Sequence, residues 1–97
     1  MLHIINKSPF DRPAFDSALK TGEGAILLIE DGVYAAAKGG AAEAKLKAAA
    51  GKFKFYALVA DLEARGIADR VIDGVTPVDY AGFVDLVAEY KTNQSWL

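Results

Sequence analysis

Ala25-Ile26-Leu27-Leu28-Ile29 is a run of five apolar residues with no polar position inside it. Successive side chains of a strand point to opposite faces, so an unbroken apolar strand is one covered on both sides. A parallel sheet with helices on both faces meets that condition, and a one-sided antiparallel sheet does not. Gly22 and Gly24 precede the run and Glu30-Asp31-Gly32 stops it, which bounds it at strand length. A transmembrane helix needs about 20 such residues, so no membrane span is expected.

The rest of the chain supplies the other layers. Leu2 to Ile5 reads as a short buried strand. Ser8, Pro9 and Asp11 suit a helix start, with a second possible start at Pro13, and Phe15, Ala18 and Leu19 share one helical face. Val33 to Ala37 reads as a helical turn or two, and residues 41–50 as a surface helix. Residues 53–59 form a third strand, residues 61–65 a short helix closed by Gly66, and Val71-Ile72 and Val75 to Val78 are apolar fragments split by the turn dipeptide Asp73-Gly74. Asp79 caps the clearest amphipathic helix, with Tyr80, Phe83, Val84, Val87 and Tyr90 on the face expected to meet the sheet. This alternation makes residues 1–97 a single α/β domain, a mostly parallel sheet of four or five strands with helices on both faces.

Composition bears on partners. Hydrophobic residues are 53% of the 97, somewhat above the roughly 45–50% usual for soluble domains. That excess points to a buried subunit interface and to self-association of the isolated chain. Trp96 and Leu97, at the end of the sequence, are the interface candidates, with a tail folded back onto its own domain as the alternative of equal weight. A net charge of -2 gives no global attraction to nucleic acid, and none is expected to bind directly. The start, Met1-Leu2-His3, lacks the basic lead of a secretory signal, which points to the cytoplasm.

Most chemistries lack their residues. There is no cysteine, so the chain forms no thiolate and no persulfide, and no sulfur ligand reaches a metal. His3 is the only histidine and falls within a strand, which suits a structural hydrogen bond to a neighbouring segment. Glu30 and Asp31 end a parallel strand, where ligands of open α/β sheets bind. A small enzyme using His3, Glu30 and Asp31 would need all three in one cleft. The plainer reading has Asp31 capping the turn, Gly32 taking unusual backbone angles and Glu30 solvated. Lys38, Lys45, Lys47, Lys52 and Lys54 gather with only Glu43 opposing them, and a solvated helix face accounts for them. Gly22-Glu23-Gly24 and Gly39-Gly40 are turn glycines, not a phosphate cradle, and no cofactor is expected.

Several motifs in order resemble the DsrH/TusB family. They are Leu2-His3, then Asn6-Lys7-Ser8-Pro9-Phe10, then Glu30-Asp31-Gly32-Val33-Tyr34-Ala35-Ala36 after the apolar strand. Tyr56-Ala57-Leu58, the segment from Asp61 to Gly66, the segment from Asp79 to Leu86, and Gln94-Ser95-Trp96-Leu97 follow. The resemblance spans essentially the whole chain, and residues 6–10 and 79–86 look closer to DsrH.

The resemblance implies a DsrE/DsrF/DsrH-like fold and a non-catalytic subunit of a cytoplasmic sulfur-relay complex. The complex would be a heterohexamer holding two copies of this chain beside DsrE/TusD-like and DsrF/TusC-like subunits. Its active cysteine would belong to the DsrE/TusD-like partner. Some DsrH proteins carry a cysteine in the first helix; Ala18 stands about there in this chain, so no sulfur-carrying role transfers. Two pathways are implied. The DsrEFH type, in dissimilatory sulfur oxidation, is the first expectation, and the TusBCD type, ending in 2-thiolation of the tRNA wobble uridine, is the alternative. Asp31, Gly32, Tyr80 and Phe83 join His3 as residues expected to serve structure.

Overall fold

The direction in which the chain steps across its sheet decides where the helices lie. The computed structural model describes residues 1–11 and 13–96. Strands β1 (Leu2–Ile5), β2 (Gly24–Leu28), β3 (Phe53–Leu58), β4 (Val75–Val78) and β5 (Asn93–Trp96) form one sheet, ordered β4-β3-β2-β1-β5. All neighbours pair in parallel. Parallel strands need a crossover, and crossovers are right-handed. The steps from β1 to β4 run one way, so α1 (Ala14–Leu19), the 3₁₀ segment Glu30–Ala36, α2 (Glu43–Ala48) and α3 (Val59–Ala64) fall on one face. The step from β4 back to β5 reverses, which puts α4 (Tyr80–Glu89) on the other.

β2 is buried on both sides, as its unbroken apolar run requires. Ile26 and Leu28 join a large core with Ile5, Phe15, Phe55 and Leu62. Ala25 and Leu27, on the opposite face, join a small one with Leu2 and Leu86. The register places Ile26 between His3 and Phe55, and Leu28 between Ile5 and Ala57.

Three local features differ from the sequence expectations. The first helix begins at Ala14 after Pro13, the second of the two starts offered by the sequence, and not at Ser8. Ser8 instead closes a turn: its Oγ accepts from Phe10 N–H at 3.2 Å and its carbonyl from Asp11 N–H at 3.1 Å. The polar tail is a fifth strand. Asn93, Gln94 and Ser95 are exposed, so backbone pairing with β1 at the sheet edge holds it.

Gly32 is constrained by space and not by its own backbone angles. A Cβ at this position would overlap the Ile5 carbonyl oxygen, and the unusual angle belongs to Glu30, at φ 48°. The 3₁₀ segment thus lies directly on the carboxyl end of β1. Gly32→Ala is expected to cost about 3 kcal/mol, because the added methyl meets main chain that cannot swing away. Urea unfolding of the variant checks this, and an unchanged midpoint contradicts it.

Candidate functional site

One helix cannot cover a five-stranded sheet. Five strands spaced about 4.8 Å apart span roughly 19 Å between the outer two, and a helix is only about 10 Å across. Among the described residues α4 is alone on its face, and of its side chains only Leu86 is buried. Around the small core Ile4, Ile29, Tyr56, Val78, Phe83, Val87 and Tyr90 are only partly buried. Tyr80 and Val84 are 69% and 61% exposed.

The sequence of α4 accounts for that excess. At about 100° per residue, its apolar side chains from Leu86 round through Phe83, Val87 and Tyr80 to Val84 and Ala88 span an arc of about 200°. Packing on one sheet uses a stripe of roughly 100°. Phe83, Leu86, Val87 and Tyr90 turn toward the sheet, and Tyr80 and Val84 flank them in solvent. Tyr80 and Phe83 stay in ring contact, 6.2 Å between centroids. The expectation that Tyr80 and Val84 pack on the sheet is therefore corrected, and Phe83 is half-buried. Asp79 Oδ1 accepts from Gly82 N–H at 2.8 Å and holds the start of α4. The result is a rigidly mounted apolar surface of two aromatic rings and aliphatic side chains, the composition of an interface centre.

The other residues singled out from the sequence do not assemble a reaction centre. Asp31 is exposed and accepts from Arg65 Nε at 2.9 Å; it caps nothing. The capping carboxylate is Asp61, whose Oδ2 accepts from Glu30 N–H at 2.7 Å. Arg65 also reaches Asp61 Oδ1 at 3.5 Å along α3, while its bond to Asp31 and the Asp61 bond to Glu30 tie α3 to the carboxyl end of β2. His3 is buried and bonded to Thr21 and Trp96, so the enzyme reading loses its shared cleft. Lys45 pairs with Asp16 and Lys47 with Glu43, both at 2.9 Å. The Glu43 carboxyl is held below its ordinary pKa first by the Gly39 N–H and then by Lys47. A shallow cleft lined by Pro9, Phe10, Phe15, Asp16 and Lys45 measures about 40 Å³, far below the roughly 300 Å³ of a small-molecule site.

Trp96 turns inward. It is half-buried, packs against the large core of its own domain and donates from Nε1 to His3. It reaches its own domain because the strand that carries it joins the sheet. Leu97 lies outside the described residues. Among the described residues no helix is long and apolar enough to cross a membrane.

Comparisons with known proteins agree with this geometry. A family model described as DsrH like protein matches residues 7–93. Protein TusB of Escherichia coli O1:K1 is 37% identical over 98 residues, covering 99% of this chain and all of that protein. Protein TusB of Shigella flexneri is 36% identical with the same coverage. The solved structure of a protein of unknown function, MTH1491 from Methanobacterium thermoautotrophicum, superposes with a TM-score of 0.78. It shares 16% identity, and the match covers 98% of this chain and 96% of that one, a likeness of fold alone.

Proposed function

Because the chain belongs to the DsrH-like family, we propose that it is a non-catalytic subunit of a cytoplasmic sulfur-relay complex, of the TusB type that serves 2-thiolation of the tRNA wobble uridine. The full-length match to proteins named TusB favours this pathway over sulfur oxidation, the first expectation from the sequence. The observation that carries the subunit role is the thinly covered sheet face around α4, with Tyr80 and Val84 in solvent. That face would dock a related α/β subunit, a DsrE/TusD-like or DsrF/TusC-like chain, within a hexamer containing two copies of this one.

The chemistry belongs to the partner. In persulfide relay an acceptor thiolate attacks the outer sulfur of a donor persulfide. A new S–S bond forms, the old one breaks, and the donor leaves as a thiolate with no net redox change. Each step needs a thiolate, and this chain has no cysteine. Its contribution is to hold the cysteine-bearing subunit in a productive arrangement. Incubated with a persulfide donor, the chain is expected to gain no sulfur by intact-mass spectrometry. The cysteine-bearing partner in the same mixture gains one atom, removable by reductant. A reductant-sensitive sulfur adduct on this chain alone would refute the reading.

A further inference from the structure

Three side chains at the seam between β1 and β5 form a directed hydrogen-bond chain. Trp96 Nε1–H donates to His3 Nδ1 at 3.1 Å, and His3 Nε2 lies 3.2 Å from Thr21 Oγ1. Thr21 Oγ1–H donates to the Ala18 carbonyl at 2.7 Å. Every role is forced. An indole N–H only donates, so Nδ1 presents its lone pair. The single N–H of a neutral imidazole is then on Nε2, where it is given to the Thr21 oxygen, whose own hydrogen is already committed to Ala18. The other tautomer and the imidazolium both place a hydrogen on Nδ1, head-on against the indole N–H. His3 is 1% exposed, so water cannot stand in for the lost partner while the seam is closed.

We infer that His3 is a proton-operated latch on the last strand: neutral, it holds β5 against β1 through Trp96; protonated, it releases that strand from the sheet. The inference rests on the fold and not on the relay reading. Trp96 is the one β5 residue packed against the core, and Asn93, Gln94 and Ser95 contribute backbone pairing only. The surroundings of the imidazole favour the closed state. From β5 it meets Trp96, from the end of α1 Thr21, and from β3 the Phe53 ring at 6.4 Å. The charge acting on it is the amino-terminal ammonium, which opposes a second positive charge. Among the described residues no carboxylate is hydrogen-bonded to the ring to favour the imidazolium. Burial first, and then that ammonium, lower the His3 pKa from its ordinary value. The unfolded chain consequently takes up a proton more readily than the folded one. The stabilisation from the latch is full above about pH 6.5 and is lost as pH falls below it toward the depressed folded value.

His3 and Trp96 are the chain's only histidine and only tryptophan, so each reports without interference. Trp96 fluorescence of the full chain, titrated from about pH 8 to 5, is expected to show a one-proton transition with its midpoint below the ordinary histidine value of about 6.5. Amide exchange protection is lost in β5 across that transition and kept in β2 and β3. Ring ¹⁵N shifts at neutral pH show the Nε2–H tautomer. Trp96→Phe keeps an aromatic ring but removes the indole donor, and is expected to raise the His3 midpoint, read from its ring resonances, by about half a pH unit or more. A midpoint at or above about 6.5, an Nδ1–H tautomer, protection lost evenly across the sheet, or an unchanged midpoint in Trp96→Phe would each overturn the latch.

Discussion

Phe15→Ala is expected to remove about 3–5 kcal/mol of stability, a large fraction of the roughly 5–15 kcal/mol available to a domain. Phe15 is 1% exposed, and its ring meets Phe55 at 6.4 Å beneath α1. The space it vacates is walled by strands of the central sheet, which cannot collapse into it. In a thermal scan the midpoint falls by more than about 12 °C. Phe83→Ala is the informative partner measurement. That ring is only half-buried on the thinly covered face, and its loss is expected to cost less than about 2 kcal/mol. Equal losses at the two sites would mean that the face under α4 is as tightly packed as the main core, and the interface proposal would lose its basis.

The second large effect is on assembly. Tyr80→Lys combined with Val84→Lys leaves the free chain's stability nearly unchanged, since both side chains stand in solvent. In the complex the same two positions would bury unpaired ammonium groups. Two central anchors at about 2 kcal/mol each correspond to at least a 100-fold loss of affinity for the partner subunits. Light scattering coupled to gel filtration, on the chain mixed with the proposed DsrE/TusD-like and DsrF/TusC-like subunits, reads this directly. Glu89→Lys, on the opposite side of α4, serves as the control and is expected to assemble normally. A normal complex with the double variant would remove α4 from the interface and return attention to the Trp96 end of the chain.

The parts of this fold that were legible from the sequence are those in which one residue pattern admits one environment. β2 is the clearest, because five apolar residues in succession must be covered twice. The presence of α4 was equally plain, with Asp79 as its cap. Its orientation was not. An apolar arc of about 200° contains two possible docking directions, and periodicity cannot tell which half meets the sheet. β5 escaped notice because Asn93-Gln94-Ser95 has no apolar alternation and is held by main-chain pairing. The cap on Glu30 was hidden for another reason: the carboxylate that accepts from its N–H, Asp61, is 31 residues away. Gly32 was read for its backbone angles, whereas its constraint is the close approach to Ile5, which leaves no trace in its neighbours along the chain.

The reversal in strand order has a consequence for how the molecule comes into being. β1 to β4 and the helices between them can gather their large core while the chain is still being made, because each strand lies beside the one before it. Leu2, Ala25 and Leu27, on the far side of that sheet, must wait for α4. β5 waits longest, since Leu2 pairs with Asn93 and closing so long a loop is slow. At synthesis rates of about 5–20 residues per second, the nascent sheet presents a bare apolar side for a second or more. During that interval the apolar side that α4 later covers only in part faces water, the stage at which exposed apolar surface most readily associates.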